Sequence, residues 1–186
     1  MHQAKISKQN MTTKTFGDKK LTIEPFGKKD LKCAKEYQNF INSLIKEDAK
    51  ILMNVKQTLG DEKEWVKRVA KSAKNKKRVA LIARDGNRII ANTEVELKTY
   101  KQNHIGKFGI AIRDGYRGSG LGKYIMSEVL KLAKENLPGL KVFWLDVLEN
   151  NEPAIALYKK MGFKIVSRIP KQIQYKGKLI SEYIMI

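Results

Sequence analysis

The chain has 186 residues, enough for one domain with its own core. It is 42% hydrophobic and 31% charged, and 38 Lys+Arg against 19 Asp+Glu give a formal net charge of +19. No apolar run approaches the roughly 18 residues of a membrane span, and Cys33 is the only cysteine, so a spanning helix, an internal disulfide and a thiolate metal cluster are all set aside. A cytoplasmic location is the expectation. The positive charge attracts polyanions: nucleic acid, phosphorylated cofactors or acidic proteins. No element that reads a nucleic-acid sequence accompanies it, so specific nucleic-acid recognition is not expected.

Residues 1–20 lack the apolar core of a signal peptide and read as a basic, partly mobile arm ahead of a domain spanning 21–186. LTIEPF, residues 21–26, is a strand ended by Pro25. Residues 28–54 carry helical spacing at Leu31, Ala34, Tyr37, Ile41 and Leu44, with Asp30 as cap and a break near Glu47 that turns Ile51 and Leu52 inward. A second helix fills 60–78, capped by Asp61 with Glu64 three residues on, and with Trp65, Val69 and Ser72 in its stripe. The period then changes to two. Asp85-Gly86-Asn87 joins two strands as a hairpin, and in the second strand Ala91, Thr93, Val95 and Leu97 alternate with Asn92, Glu94 and Glu96. KFGIAIRD, from Lys107, adds a third strand to this meander. A helix from Leu121, the strand VFWLDVL, a short helix from Asn150 or Asn151 and two late strands joined by a basic loop complete the order β–α–α–β–β–β–α–β–α–β–β. The helix between the fourth and fifth strands makes them a parallel crossover pair.

The segment that demands an explanation is YRGSGLG, Tyr116–Gly122. A strand runs into glycines that open a helix, where the first amides lack intrahelical partners and the helix dipole adds positive charge. Such a junction binds phosphate, and Arg117 can add a two-pronged contact. The spacing is not that of a P-loop, since Tyr124 follows Lys123 where a hydroxyl residue belongs. Nor is it a dinucleotide fingerprint, because Gly118, Gly120 and Gly122 give G-x-G-x-G.

Arg117, Gly120 and Gly122 do match [RQ]-x-x-G-x-[GA], and after one strand Asn151, Ala154, Leu157, Tyr158, Gly162 and Phe163 match N-x-x-A-x-x-[LF]-Y-x-x-x-G-F. With both motifs in order, the chain resembles the GNAT-type N-acetyltransferases across residues 21–186. The resemblance implies a single α/β domain, with a mixed central sheet splayed between its fourth and fifth strands and helices on both faces. It implies acetyl-CoA as acetyl donor, with CoA as product. The backbone of Ile110, Ala111 and Ile112 would hold the pantetheine arm, and Arg117, Gly118, Ser119, Gly120, Leu121 and Gly122 the pyrophosphate. Lys123 would lie outside them, and Asn151 and Tyr158 would complete the cofactor side.

Acetyl transfer to an amine needs a neutral amine, close approach, donors for the oxyanion and a proton for the thiolate. The resemblance makes Tyr158 the acid. Glu94 is the expected base by position, with Glu96, Asp146 and water as the other options. His104 reads as a surface residue and Cys33 as packing. No metal is expected. The acceptor is an amine-bearing small molecule, peptide or protein, and the enzyme a monomer or homodimer. The rival reading is a non-catalytic module that binds acyl-CoA or polyanions. The acceptor side would be rimmed by Asp48–Asp61, Lys98–Lys107 and Pro170–Lys178.

Overall fold

Alternating burial sets the sheet. From Arg88 to Leu97, Ala91, Thr93, Val95 and Leu97 are buried while Asn92, Glu94 and Glu96 stay half-buried, as a strand between a core and a cleft requires. The computed structural model describes residues 11–27 and 32–186. Within them the strands are β1 (Thr12–Phe16), β2 (Lys19–Pro25), β3 (Arg78–Asp85), β4 (Arg88–Leu97), β5 (Ile105–Ile112), β6 (Val142–Leu148), β7 (Ile165–Tyr175) and β8 (Lys178–Met185). The helices are α1 (Ala34–Lys46), α2 (Leu59–Lys74), α3 (Leu121–Asn136) and α4 (Glu152–Lys160), with one 3-10 turn at Tyr100–Gln102. The strands form one sheet in the order β1-β2-β3-β4-β5-β6-β8-β7.

Every neighbouring pair is antiparallel except β5 and β6, the expected crossover pair. That pairing is short. Ile105, Gly106 and Lys107 face Val142, Phe143 and Trp144, and there the ladder between the two strands stops. Beyond it β6 pairs on its other side, Leu145–Leu148 against Glu182–Met185 of β8. The sheet therefore forks between β5 and β6, the splay expected between the fourth and fifth strands of the sequence reading. Gly106 sits in the short paired stretch because nothing larger fits: a Cβ there would lie 2.7 Å from Val95 Cγ1 and 2.8 Å from Leu140 Cδ1. Gly106→Ala is expected to cost about 1–3 kcal/mol, the usual range for overpacking. Urea unfolding measures it, and unchanged stability would show that the two side chains yield freely.

Two apolar layers cover the sheet. On one face α1 and α2 pack Tyr37, Phe40, Leu44, Val66 and Val69 against Ala80, Ile82 and Ile89. On the other, α3 and α4 pack Leu121, Ile125, Val129, Ile155 and Tyr158 against Leu81, Val95, Phe108 and Leu145. The odd and even residues of β3 thus serve opposite layers, as its continuous apolar run demands.

Several local expectations are corrected. Thr12–Phe16, assigned to an arm, pairs with β2 as an edge strand, and Phe16 is buried against the α3 layer, 5.5 Å from the Tyr124 ring. Its alternating Thr and Lys suit a half-exposed edge but mimic a solvated arm. Asp30 and Leu31 lie outside the described residues, whereas α1 does end at Lys46, with Glu47 at its C-cap. Ile51 packs inward, but Leu52 is 56% exposed. The cap of α2 is Thr58: its hydroxyl accepts from Asp61 N–H, and the Asp61 carboxylate accepts from Thr58 N–H at 2.8 Å. The box thus starts three residues earlier than expected. The buried stripe of α2 is Glu62, Val66 and Val69, not Trp65, Val69 and Ser72; Trp65 lies on its flank, 4.8 Å from the Tyr37 ring. The expected basic loop after Pro170 is mostly strand, since β7 runs to Tyr175 and turns on Lys176 and Gly177, both with positive φ.

Candidate active site

The fork brings the candidate residues together. Past Lys107, the β6-facing edge of β5 carries Ile110, Ala111 and Ile112, bonded only to β4 in the sheet. This leaves a strand edge of the kind an extended amide chain can join. At the end of the fork the backbone turns through Gly115 and Gly118 into Gly120, the N-cap of α3. Gly118 has φ +76° and Gly120 φ +87°, and a Cβ at either would meet nothing within 4 Å. Their need for glycine is therefore conformational, and the space above them is open. Gly122 differs: a Cβ there would lie 3.2 Å from Ile112 Cδ1 and 3.4 Å from Leu157 Cδ2, so it sets the approach of α3 to β5 and α4. Gly120 supplies no side-chain cap, which leaves the amides of Leu121, Gly122 and Lys123 for an external acceptor. Leu121 is fully buried and anchors the turn, Ser119 Oγ donates to Tyr116 O at 3.1 Å, and Lys123 is exposed beside the cradle. This geometry suits a pyrophosphate.

Arg117 is placed differently from its expected role. Its Nε donates to Ile112 O at 2.8 Å, and its Nη2 pairs with Glu47 Oε1. Glu47 Oε2 also accepts from Asp114 N–H at 3.2 Å. Arg117 thus ties the glycine turn to the end of β5 and to the C-cap of α1. Sequence spacing did not reveal Glu47, because the two residues stand 70 positions apart.

Tyr158 is 7% exposed on the inner face of α4, with ring centroids 5.9 Å from Phe108 and 6.4 Å from Phe163. Its hydroxyl has no hydrogen-bond partner among the described residues. Burial, and secondarily the negative charge of Asp146, push its phenol up to about 12. Asn151 occupies the N-cap position of α4, yet its side chain makes no capping bond and stays available.

On the α1–α2 side of the fork, Glu94 stands opposite Gly109 across the β4–β5 ladder, its Cγ 3.9 Å from where a Gly109 Cβ would be. Its Oε2 accepts from Arg78 Nη1 at 2.7 Å, and no hydrogen bond reaches Oε1 among the described residues. Burial raises its carboxyl above the ordinary value of 4.5, against the opposing pull of Arg78. Glu96 is bound on both oxygens, by Arg78 Nη2 and by Ser72 Oγ at 3.1 Å. Asp146 lies just past the fork point and pairs with Lys107 Nζ at 2.9 Å. His104 belongs to the turn before β5, at the end opposite the glycines. Cys33 precedes α1 and accepts from Arg84 Nη2 at 3.3 Å, a packing and pairing role. No three His, Cys, Asp or Glu among the described residues could hold a metal. No helix among them is long and apolar enough to cross a membrane.

The rim segments also meet. Tyr175 Oη donates to Asp48 O at 3.1 Å, Lys176 Nζ pairs with Asp48 at 3.2 Å, and Lys50 donates to Asn150 O. The segment between α1 and α2 is thereby fastened to the β7–β8 turn and to the entry of α4.

Comparison with known proteins agrees with this geometry. Residues 42–163 match the model of the Acetyltransferase (GNAT) family. The L-amino acid N-acetyltransferase AaaT of Escherichia coli (strain K12) is 27% identical over 122 residues, 65% of this chain and 73% of that protein. An N-alpha-acetyltransferase of Sulfurisphaera tokodaii is 39% identical over 66 residues, 36% of this chain and 38% of that protein. A GNAT acetyltransferase from Streptococcus pneumoniae superposes with a TM-score of 0.77 at 25% identity, covering 89% of this chain and 97% of that one. A Salmonella typhimurium structure with acetyl-CoA shares the fold, with a TM-score of 0.73 at 15% identity over 89% and 91% of the two chains. The chain belongs to the GNAT family of N-acetyltransferases, which use acetyl-CoA as acetyl donor.

Proposed function

We propose that the protein acetylates the α-amino group of an amino acid or a short peptide within the β5–β6 fork, in the cytoplasm, as a monomer or homodimer. The observation that carries this reading is the fork itself, open beyond Lys107 and ending in the Gly118–Gly120 cradle. The likeness to an L-amino acid N-acetyltransferase over 65% of the chain supports the acceptor class. Acetyl-CoA brings an activated thioester. The amides of Leu121 to Lys123, with Gly118, Ser119 and Gly120, hold the pyrophosphate, and Ile110, Ala111 and Ile112 align the arm. Arg117 acts in this reading by shaping the turn, its guanidinium being committed to Ile112 O and Glu47. Asn151 steadies the cofactor side from the start of α4.

Glu94 Oε1 takes the proton from the incoming amine, directly or through one water, while Arg78 fixes the other oxygen. A base must be ionised to act, so a raised carboxyl moves the acid limb of the kcat/KM profile above 4.5. Tyr158 donates its O–H to the departing sulfur.

Thiol release from acetyl-CoA with a panel of amino acids, dipeptides and simple alkylamines tests the reading. Amino acids or peptides are expected to give turnover. Glu94→Gln should lower kcat/KM by about 10²-fold and abolish the acid limb. Turnover confined to the alkylamines would discard the acceptor class, and an unchanged pH profile in the variant would discard Glu94.

The net charge of +19 leads to a separate expectation. Binding to RNA or DNA should be weak, independent of sequence and steeply reduced between 50 and 200 mM salt, with losses on the order of 10³-fold for about six phosphates. Tight sequence preference at physiological salt in a competition assay would contradict it.

A further inference from the structure

We infer that Glu47, at the C-terminal end of α1, is a positioning residue for acetyl-CoA: it holds the turn between β5 and α3 so that the amides of Gly118 to Lys123 converge on the pyrophosphate. This role rests on the cradle of the proposed function and adds the residue that aims it.

The turn needs support from outside. Gly115, Gly118 and Gly120 all take positive φ, and glycine permits such backbone without holding it in place. Within the turn, Tyr116 N–H reaches Arg113 O at 3.3 Å and Ser119 Oγ reaches Tyr116 O at 3.1 Å. Lys19 Nζ on Gly115 O and Tyr116 Oη on Asp85, both at 2.7 Å, hold its middle. Glu47 holds its two ends. Oε2 accepts from Asp114 N–H at 3.2 Å, and Oε1 accepts from Arg117 Nη2. Arg117 Nε in turn donates to Ile112 O at 2.8 Å. One carboxylate thus spans Asp114 and Arg117, and the cradle backbone starts at Arg117.

Glu47 is itself held in place. α1 stops at Lys46, and Asp48 takes φ +51°, a left-handed residue that ends the helix directly after Glu47. Tyr175 Oη on Asp48 O, at 3.1 Å, and Lys176 Nζ on its carboxylate, at 3.2 Å, keep that bend.

Two simpler roles fit less well. The dipole of α1 disfavours a carboxylate at its C-terminal end, so Glu47 does not serve the helix. The charge of Glu47 acts on buried Arg113, but Arg113 Nη2 donates to Asn39 O at 3.2 Å, while both Glu47 oxygens go to the turn. A negative charge beside a pyrophosphate site also repels the ligand. Charge alone and positioning therefore give opposite signs for its removal: tighter binding from the first, weaker from the second.

Glu47→Gln removes the charge, keeps the size and leaves one acceptor where two donors converge. CoA, which carries no acetyl group to transfer, is the calorimetric probe. The variant should bind CoA roughly 10-fold weaker, the lower end for a lost charge-assisted bond. KM for acetyl-CoA should rise by the same factor, with kcat at saturation within about twofold of wild type. S-acetylpantetheine lacks the pyrophosphate, so its kcat/KM should stay within about twofold of wild type. Equal losses with the two donors would make Glu47 a residue of the fold and overturn the inference. Gly120→Val separates Glu47 from the cradle it serves. Wild-type CoA affinity in Gly120→Val withdraws both. Weakened affinity there, with unchanged or tighter binding in Glu47→Gln, withdraws Glu47 alone.

Discussion

Tyr158→Phe should keep the fold and the affinity for acetyl-CoA while lowering the single-turnover rate by about 10²–10⁴-fold, the range a general acid supplies. The reason lies in how the side chain is held. Phe108 and Phe163 pack the ring, and a phenylalanine keeps both contacts. The hydroxyl is unpartnered among the described residues, so its removal breaks no native hydrogen bond, and thermal stability should be unchanged or slightly higher. With its pKa pushed up to about 12, the phenol stays protonated across the working range, and no loss of acid function is expected below that pH. The same value restricts the chemistry. A thiol ionises near 8.5, so complete transfer from the phenol would run uphill by roughly 3 units, about 4–5 kcal/mol. Tyr158 therefore acts mainly as a hydrogen-bond donor to the sulfur as negative charge develops, and the thiolate takes its proton from water as CoA leaves. Pre-steady-state measurement with excess enzyme isolates the chemical step from product release. A wild-type single-turnover rate in the variant would remove Tyr158 from the reaction.

Period and spacing made much of this legible. The switch from 3.6 to 2 at Arg78 marks the meander, the run VFWLDVL marks a strand covered on both sides, and both appear at those places. The glycine motif falls on the turn into α3 and the tyrosine motif on α4, the elements expected to carry them. What stayed hidden depends on contacts between distant residues. Glu47 and Arg117 are 70 positions apart, and Arg84 reaches Glu24 across 60. No local pattern encodes such pairs. β1 was missed because its edge position needs little apolar content, and Phe16 alone betrays it. Glu62 stayed hidden because of its residue type: a charged side chain does not read as part of an apolar stripe, although helical spacing sets it with Val66 and Val69.

Gly120→Val should abolish most acetyl-CoA binding while leaving the fold intact. Two costs combine at this position. The backbone sits at φ +87°, where a β-branched residue is strained by about 1–2 kcal/mol or more. The added side chain projects into open space rather than into the core, since a Cβ there meets nothing within 4 Å. The core is therefore spared, and the methyl groups occupy the volume the pyrophosphate needs. Shifting the turn also misaims the amides of Leu121 and Gly122, and each charge-assisted bond lost is worth about 1.5–3 kcal/mol. Affinity should fall by about 10²-fold or more. Thermal unfolding provides the measurement. Ligand at 100 times its Kd stabilises the wild type by about 2.7 kcal/mol, and a variant 100-fold weaker retains about 0.4 kcal/mol at the same concentration. Gly122→Ala separates cradle from packing: its Cβ meets Ile112 and Leu157, so it should lower stability of the free protein instead. Wild-type affinity in Gly120→Val would mean that the pyrophosphate lies elsewhere along the fork, and the assignment of Gly118 to Lys123 would have to be withdrawn.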